Sequence, residues 1–300
     1  MSGPLPVRTF QVGDLTITRI PEAVLSAVTP QALLPSWDAT QIQEHVLRSL
    51  IPGSLDAARR HVILNTHAWL VRSAARTILV DTGIGNDKIR SSPLFHQLQT
   101  PFLARLQEAG VSPDDVDYVL LTHLHTDHVG WNTQLVDGRW VPTFRNAQYV
   151  FSGIEYEALD ALFRAGADPR GFFEDSVQPI VAAGQARLVE AGPVGFIDGL
   201  MLHPTPGHSI DHWSISMASR GEVALFAGDV MHHPVQVDQP AWSSVFCAAP
   251  DDAQRSRRWA LQFADDHDAL VFSSHFAESS VGRIRRRGSG YAWQFTEGPR

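Results

Sequence analysis

Between Leu121 and Asn132 the chain reads LTHLHTDHVGWN, with His123, His125, Asp127 and His128 inside six consecutive positions. Imidazoles and a carboxylate at that density are ligand chemistry. Buried without partners, such groups are costly, an ionised carboxylate most of all, and a solvated surface loop has no use for the crowding. Three more ligand-type residues stand at the ends of apolar runs: GLMLHPTPGHS brings His208 after a Pro-Gly turn, EVALFAGD brings Asp229, and ALVFSSH brings His275. Imidazole together with carboxylate favours zinc or a similar first-row divalent ion. Seven groups exceed the four that one tetrahedral zinc accepts, so the count predicts two ions. A carboxylate such as Asp229 has two oxygens and can bridge them. Two ions about 3.5–4 Å apart would share a hydroxide nucleophile and polarise a substrate oxygen together.

Rigid elements must hold these groups in place. VDYVLLT has the composition of a buried strand, so His123 opens the loop at its C-terminal end. The residues before His208, Asp229 and His275 also read as strands, and sites in α/β folds are commonly assembled where strands end and loops converge. Hydrophobic periodicity predicts strands over Phe10–Ile20, His61–Arg72, Arg76–Asp81, Val116–Thr122, Gln148–Phe151, Leu200–His203, Trp213–Met217, Glu222–Ala227 and Ala269–Ser274. Helices are expected over Leu94–Ala109, Ile154–Ala165 and Asp251–Asp265. Interspersed strands and helices without repeat or linker make one α/β domain over 1–300, with 21–55 an elaboration over the site or an interface.

Composition narrows the partners. The 300 residues are 44% hydrophobic and carry a formal net charge of −8, which argues against a nucleic-acid binder. The basic GRIRRRGSGYAWQF reads as a terminal hairpin about Gly288-Ser289-Gly290 with solvated arginines. Cys247 is the one cysteine, which excludes an internal disulfide and a thiolate zinc finger. With no visible signal peptide and no apolar run of membrane-span length, a cytoplasmic protein with no membrane partner is expected.

The motif His123-X-His125-X-Asp127-His128, followed in order by His208, Asp229 and His275, resembles the metallo-β-lactamase superfamily, as does TILVDTG at 77–83. The resemblance runs from about residue 10 to the C-terminal hairpin. It implies an αββα sandwich, two central mixed sheets flanked by helices. It also implies that His123, His125 and His208 hold one zinc, that Asp127, His128 and His275 hold the other, and that Asp229 bridges. Manganese, iron and cobalt accept the same ligands. DTGIGNDK, DHVGWN and GDVMHHP look like the branch of acyl-homoserine lactonases and methyl parathion hydrolase-like enzymes. That likeness implies a small-molecule lactone or ester substrate and, by family analogy, a homodimer. The lactonases carry a tyrosine on the substrate carbonyl three residues after the bridging aspartate; this chain has His232 there. Asp127, Asp229 and His232 are thus the residues expected to act in catalysis.

Other readings fit less well. Phosphotriesters or aryl esters could use the same centre. A glyoxalase II-like thioesterase would add a helical domain after its last ligand, where only 25 residues follow His275. A flavo-diiron protein would have glutamate in place of His125, and class B β-lactamases depart at Asp229. A non-catalytic ligand-binding member is the alternative of a different kind. Gly83-Ile84-Gly85 is a turn rather than a dinucleotide loop, since Lys88 stands where the third glycine would be. Of the remaining histidines, His67 is expected as a satisfied sheet residue, His212 as a group orienting a ligand, and His232 or His233 as facing substrate. Trp131 is expected at the mouth of the site or in simple packing.

Overall fold

The computed structural model describes residues 6–51, 53–168, 171–190, 194–197 and 199–297. The chain divides into two compact units, Met1–Ala23 with Thr66–Ala191, and Val24–Asn65 with Gly192–Arg300.

Seven strands make a sheet in the order β1-β2-β3-β4-β5-β8-β9. They are β1 (Arg8–Val12), β2 (Leu15–Val28), β3 (Val62–Arg72), β4 (Thr77–Val80), β5 (Tyr118–Leu120), β8 (Gln148–Ser152) and β9 (Ala186–Val189), with a separate hairpin of β6 (Thr133–Val136) and β7 (Arg139–Pro142). The sheet is mixed. The β1–β2 and β3–β4 pairs are antiparallel, whereas β4, β5, β8 and β9 run parallel. Parallel neighbours need crossovers, usually helical; Phe102–Glu108 lies between β4 and β5, and Gly153–Arg164 between β8 and β9. The β6–β7 turn places Asp137 and Gly138 at positive φ, the chemistry of a tight hairpin. Ala68, Leu70, Leu79, Val119, Leu121, Tyr149 and Phe151 bury one apolar core with Phe102, Leu106 and Phe173.

The second sheet is β10 (Val194–Ile197), β11 (Leu200–Pro204), β12 (Trp213–Ser219), β13 (Glu222–Gly228), β14 (Leu270–Ser273), β15 (Val281–Arg287) and β16 (Gly290–Phe295), in that order. Only the β13–β14 pair is parallel, and the helix Pro250–Asp266 provides its crossover. That helix starts with proline in its first turn, followed by Asp251 and Asp252, which suit the positive end of the helix dipole. Ala260, Leu261 and Ala264 pack with Leu225, Ala227 and Val271 from the sheet. Short helices Pro30–Leu33 and Glu44–Ser49 bury Leu33 and Leu47 in a separate cluster with Leu50 and Trp242.

Two mixed sheets with helices agree with the α/β expectation. Several elements differ from their predicted extents: β2 runs on to Val28, into the segment read as an elaboration, and β5 covers only Tyr118–Leu120 of Val116–Thr122. Phe10–Ile20 is a hairpin rather than one strand, because Gly13 turns at φ +56°. The helix expected over Leu94–Ala109 covers only Phe102–Glu108. Pro101 disfavours helical backbone at Thr100, so the helix begins after it. No helix among the described residues is long and apolar enough to cross a membrane.

Candidate metal centre

In the first unit, β5 ends at Leu120 and delivers His123, His125, Asp127 and His128 in the following loop. A turn closes it, with the His128 amide donating to the His125 carbonyl at 3.0 Å. The rings of His123 and His125 lie 4.4 Å apart, and those of His123 and His128 4.1 Å. Asp127 Oδ1 is 3.9 Å from His128 Nε2. The Asp-Thr-Gly loop after β4 locks this arrangement. Asp81, at φ +57°, accepts from the Thr122 amide at 2.8 Å and from His128 Nδ1 at 2.8 Å. Carboxylate on Nδ1 makes Nε2 the nitrogen with the lone pair, the orientation a metal-ligating histidine needs.

Three backbone bonds zip the two loops: Thr82 N to His128 O, Gly130 N to Gly83 O, and Trp131 N to Thr82 O. Contact is so close that a Cβ on Gly130 would sit 1.8 Å from the Ile84 carbonyl oxygen, so only glycine fits. Glu22 closes the far side. Its carboxylate accepts from the Ile84 and Gly85 amides at 2.6 and 3.0 Å and from Trp131 Nε1 at 2.8 Å. Burial pushes its pKa up, and those donors offset part of the rise.

In the second unit the set is His208, Asp229, His232 and His275. Gly207, at φ +123°, leaves room for Ala253; a Cβ there would meet its nitrogen at 2.0 Å. That close approach seats the His208 loop against the start of the long helix. Asp229 follows β13 and His275 follows β14. The Asp229 carboxylate is ringed by imidazole: Oδ2 lies 3.2 Å from His208 Nε2 and 3.3 Å from His232 Nε2, and Oδ1 lies 3.1 Å from His275 Nε2. His208, Asp229 and His232 offer donor atoms within 4.8 Å of one another, all of them buried.

This donor set fits a divalent cation. His275 Nδ1 donates to the Asn65 carbonyl at 3.0 Å, so a neutral ring presents its Nε2 lone pair to the carboxylate. Two electron-rich atoms 3.1 Å apart in a buried site repel unless a cation or an extra proton lies between them. Adjacent ligands of a tetrahedral zinc with bonds of 2.0–2.1 Å stand about 3.3 Å apart. The imidazole–carboxylate separations match that spacing.

The metallo-beta-lactamase superfamily model matches residues 62–275. The chain belongs to that superfamily. Among curated relatives, the N-acyl homoserine lactonase AiiA of Bacillus thuringiensis subsp. kurstaki is 28% identical over 181 residues, 56% of this chain and 61% of the relative. The Caenorhabditis elegans beta-lactamase-like protein 2 homolog is 26% identical over 171 residues, covering 55% of this chain and 43% of that one. The match thus spans under two thirds of these relatives' length. Among solved structures, the hydrolase AbOPH has a TM-score of 0.78 at 22% identity, over 99% of this chain and 100% of that one. AidC, a dizinc quorum-quenching lactonase, has a TM-score of 0.75 at 20% identity over 99% of each. At these identities the likeness establishes the metallo-β-lactamase fold.

Within that fold the other histidines take distinct places. His212 holds the backbone at Asp229: its Nε2 accepts from the Asp229 amide at 2.8 Å while Nδ1 contacts Thr205 Oγ1 at 2.9 Å. His233 faces the Ser54 carbonyl through Nε2 at 2.9 Å, and burial lowers its pKa to about 4, so it is a neutral structural group. His232 turns its Nε2 toward Asp229 Oδ2, at 3.3 Å. Burial lowers its pKa against the opposing pull of Asp229. His67 lies buried in β3, its ring edge-on to Trp69. Trp131 is buried, stacks on Phe102 at 5.4 Å and donates its indole N–H to Glu22, so it is an interior group.

Sequence reasoning gave no role to Glu22, Lys88, Arg90 or Asp175, all buried charged groups of the first unit. The local signal was an Asp-Thr-Gly turn and a basic NDKIR run; nothing in either points to carboxylates so distant in the chain.

Proposed function

We propose that this protein is a metal-dependent hydrolase of lactones or related carboxylic esters. His123, His125 and His208 would hold one divalent ion, Asp127, His128 and His275 a second, and Asp229 both, with zinc the metal the donors suit best. The observation that carries the reading is the buried Asp229 carboxylate with three imidazoles at 3.1–3.3 Å, beside a family signature complete at all seven positions. When bound, the metal pair supplies Lewis acidity and lowers the pKa of a coordinated water toward neutrality.

The chain's own residues do the rest. Asp81 and His212 fix the orientation of His128 and the position of Asp229. His232 stands where the lactonases carry a tyrosine, and its neutral imidazole can present one N–H to a substrate carbonyl oxygen. Phe246 lies 5.9 Å from that ring and is 51% exposed, and Val245 beside it is also exposed. Cys247 and Ala248 follow, and the Ala248 amide bonds to the His208 carbonyl, which ties this apolar rim to the ligand segment. Such a rim suits the apolar part of an ester, so substrates with an acyl chain are favoured over small polar esters.

The test is a hydrolysis screen on acyl lactones, aryl esters and phosphotriesters, with metal content measured on the same protein. Lactone or ester turnover that disappears on chelation supports the reading. Turnover of phosphotriesters alone moves the assignment to that class, and no turnover of any class with metals bound leaves a binding protein.

A further inference from the structure

Lys88 and Arg90 lie in a loop rich in polar residues, yet both side chains are buried. Arg90 faces Asp175 as a bidentate pair, Nη1 to Oδ2 at 2.6 Å and Nη2 to Oδ1 at 2.8 Å. Nη1 also reaches the carbonyls of Ile89 and Gly171, at 2.9 and 2.6 Å. Its remaining nitrogen, Nε, donates to Thr126 Oγ1 at 2.7 Å. Thr126 stands between His125 and Asp127, inside the turn that the His128 amide closes on the His125 carbonyl. Asp175 belongs to a π-helical turn, Phe173–Val177, and is itself anchored. Ser176 Oγ donates to its Oδ1 at 2.5 Å, and Lys88 Nζ donates to its carbonyl at 3.2 Å.

We propose that Arg90 is a positioning residue for the ligand loop: held in one plane by Asp175, it fixes Thr126 and thereby the direction of His125 and Asp127. This rests on the reading of that loop as metal-holding. The chemistry favours arginine. A guanidinium is planar, so two bonds to one carboxylate fix the direction of its third nitrogen, whereas a lysine ammonium at the end of a flexible stem has no such fork. Threonine suits the receiving end, because its β-branch restricts χ1 and couples the position of Oγ1 to the backbone at 126. An ion pair serving stability alone would be complete with Asp175 and the two carbonyls. The bond to Thr126 adds a link to the ligand loop, as the partners behind metal ligands do. Arg90 touches neither substrate nor metal in this scheme.

The experiment is a competitive titration of the full-length protein with cobalt(II) and zinc after chelation, reading dissociation constants and the cobalt absorption spectrum. Wild type is compared with Thr126→Val, Thr126→Ser and Arg90→Lys, with melting temperatures recorded on the metal-free forms. Losing the link should weaken metal binding by about 10–100-fold in Thr126→Val and Arg90→Lys, with an altered cobalt spectrum. Thr126→Ser keeps the oxygen and should stay near wild type. The Thr126→Val, Arg90→Lys double variant should be no worse than the worse single one. If Thr126→Val does not fold, Thr126→Ala removes the same oxygen and takes its place with the same outcomes. Equal affinity for the valine and serine variants, or additive losses in the double variant, would overturn the inference. A wild-type protein that binds no metal in this titration would instead overturn the proposed function.

Discussion

His128 Nδ1 meets Asp81 Oδ2 at 2.8 Å, and both side chains are buried. The contact joins the loop after β4 to the loop after β5 and selects the tautomer of the histidine. Asp81→Asn puts an amide where a carboxylate accepted, so the proton on His128 Nδ1 is less firmly held. Metal affinity should fall by about 10–100-fold, the usual range for such partners. Titration with a chelating competitor measures it, and an unchanged affinity would remove Asp81 from the account.

Asp229→Asn keeps the shape of the side chain and removes its negative charge. An amide cannot bridge as a carboxylate does, and the three surrounding imidazoles lose their shared anion. kcat should fall at least about a hundredfold, the scale of losing one strong electrostatic contributor. Elemental analysis should find fewer ions per chain, while KM changes less. Full metal content with near-normal kcat would show that Asp229 is not a bridging ligand.

Lys88 gives a pH dependence. Burial lowers its pKa from 10.5 to about 7, opposed by Asp175 and reinforced by Arg90. Between those values the unfolded chain binds a proton that the folded chain does not, so stability rises with pH from about 7 to 10.5 and is least helped below 7. The slope from one such group is about 1.4 kcal/mol per pH unit. Lys88→Met removes it. Urea unfolding at pH 7, 8 and 9 should show the wild-type advantage growing with pH relative to the variant. A constant difference would mean that Lys88 stays charged across the range.

Much of the candidate site was legible because metal chemistry restricts residue type. Few side chains serve as ligands, and His123, His208, Asp229 and His275 each follow an apolar strand that sequence periodicity reveals. The groups behind them are chemically ordinary and distant. Arg90 reads as a solvated base until Asp175, 85 positions on, takes its charge. Glu22 falls at the start of the segment read as an elaboration, yet β2 carries it to where its carboxylate accepts from the amides of Ile84 and Gly85. The helix start after Pro101 was marked by the proline itself, but the apolar spacing upstream imitated another two turns of helix.

Phe246 tests the substrate class. An exposed phenylalanine beside His232 should favour longer acyl chains, because each buried methylene contributes about 0.8 kcal/mol. In Phe246→Ala the rise of kcat/KM with chain length should flatten while metal content stays the same. An unchanged slope would place the acyl group elsewhere.

Metal stoichiometry measured together with turnover bears most directly on the central claim. Chelated protein is titrated with zinc, and bound metal per chain and lactone or ester hydrolysis are read on the same samples. Activity should be absent at the start, rise as zinc binds, and level off at two ions per chain. Hydrolysis that persists without metal, or that is complete with one ion bound, would contradict a dinuclear hydrolase.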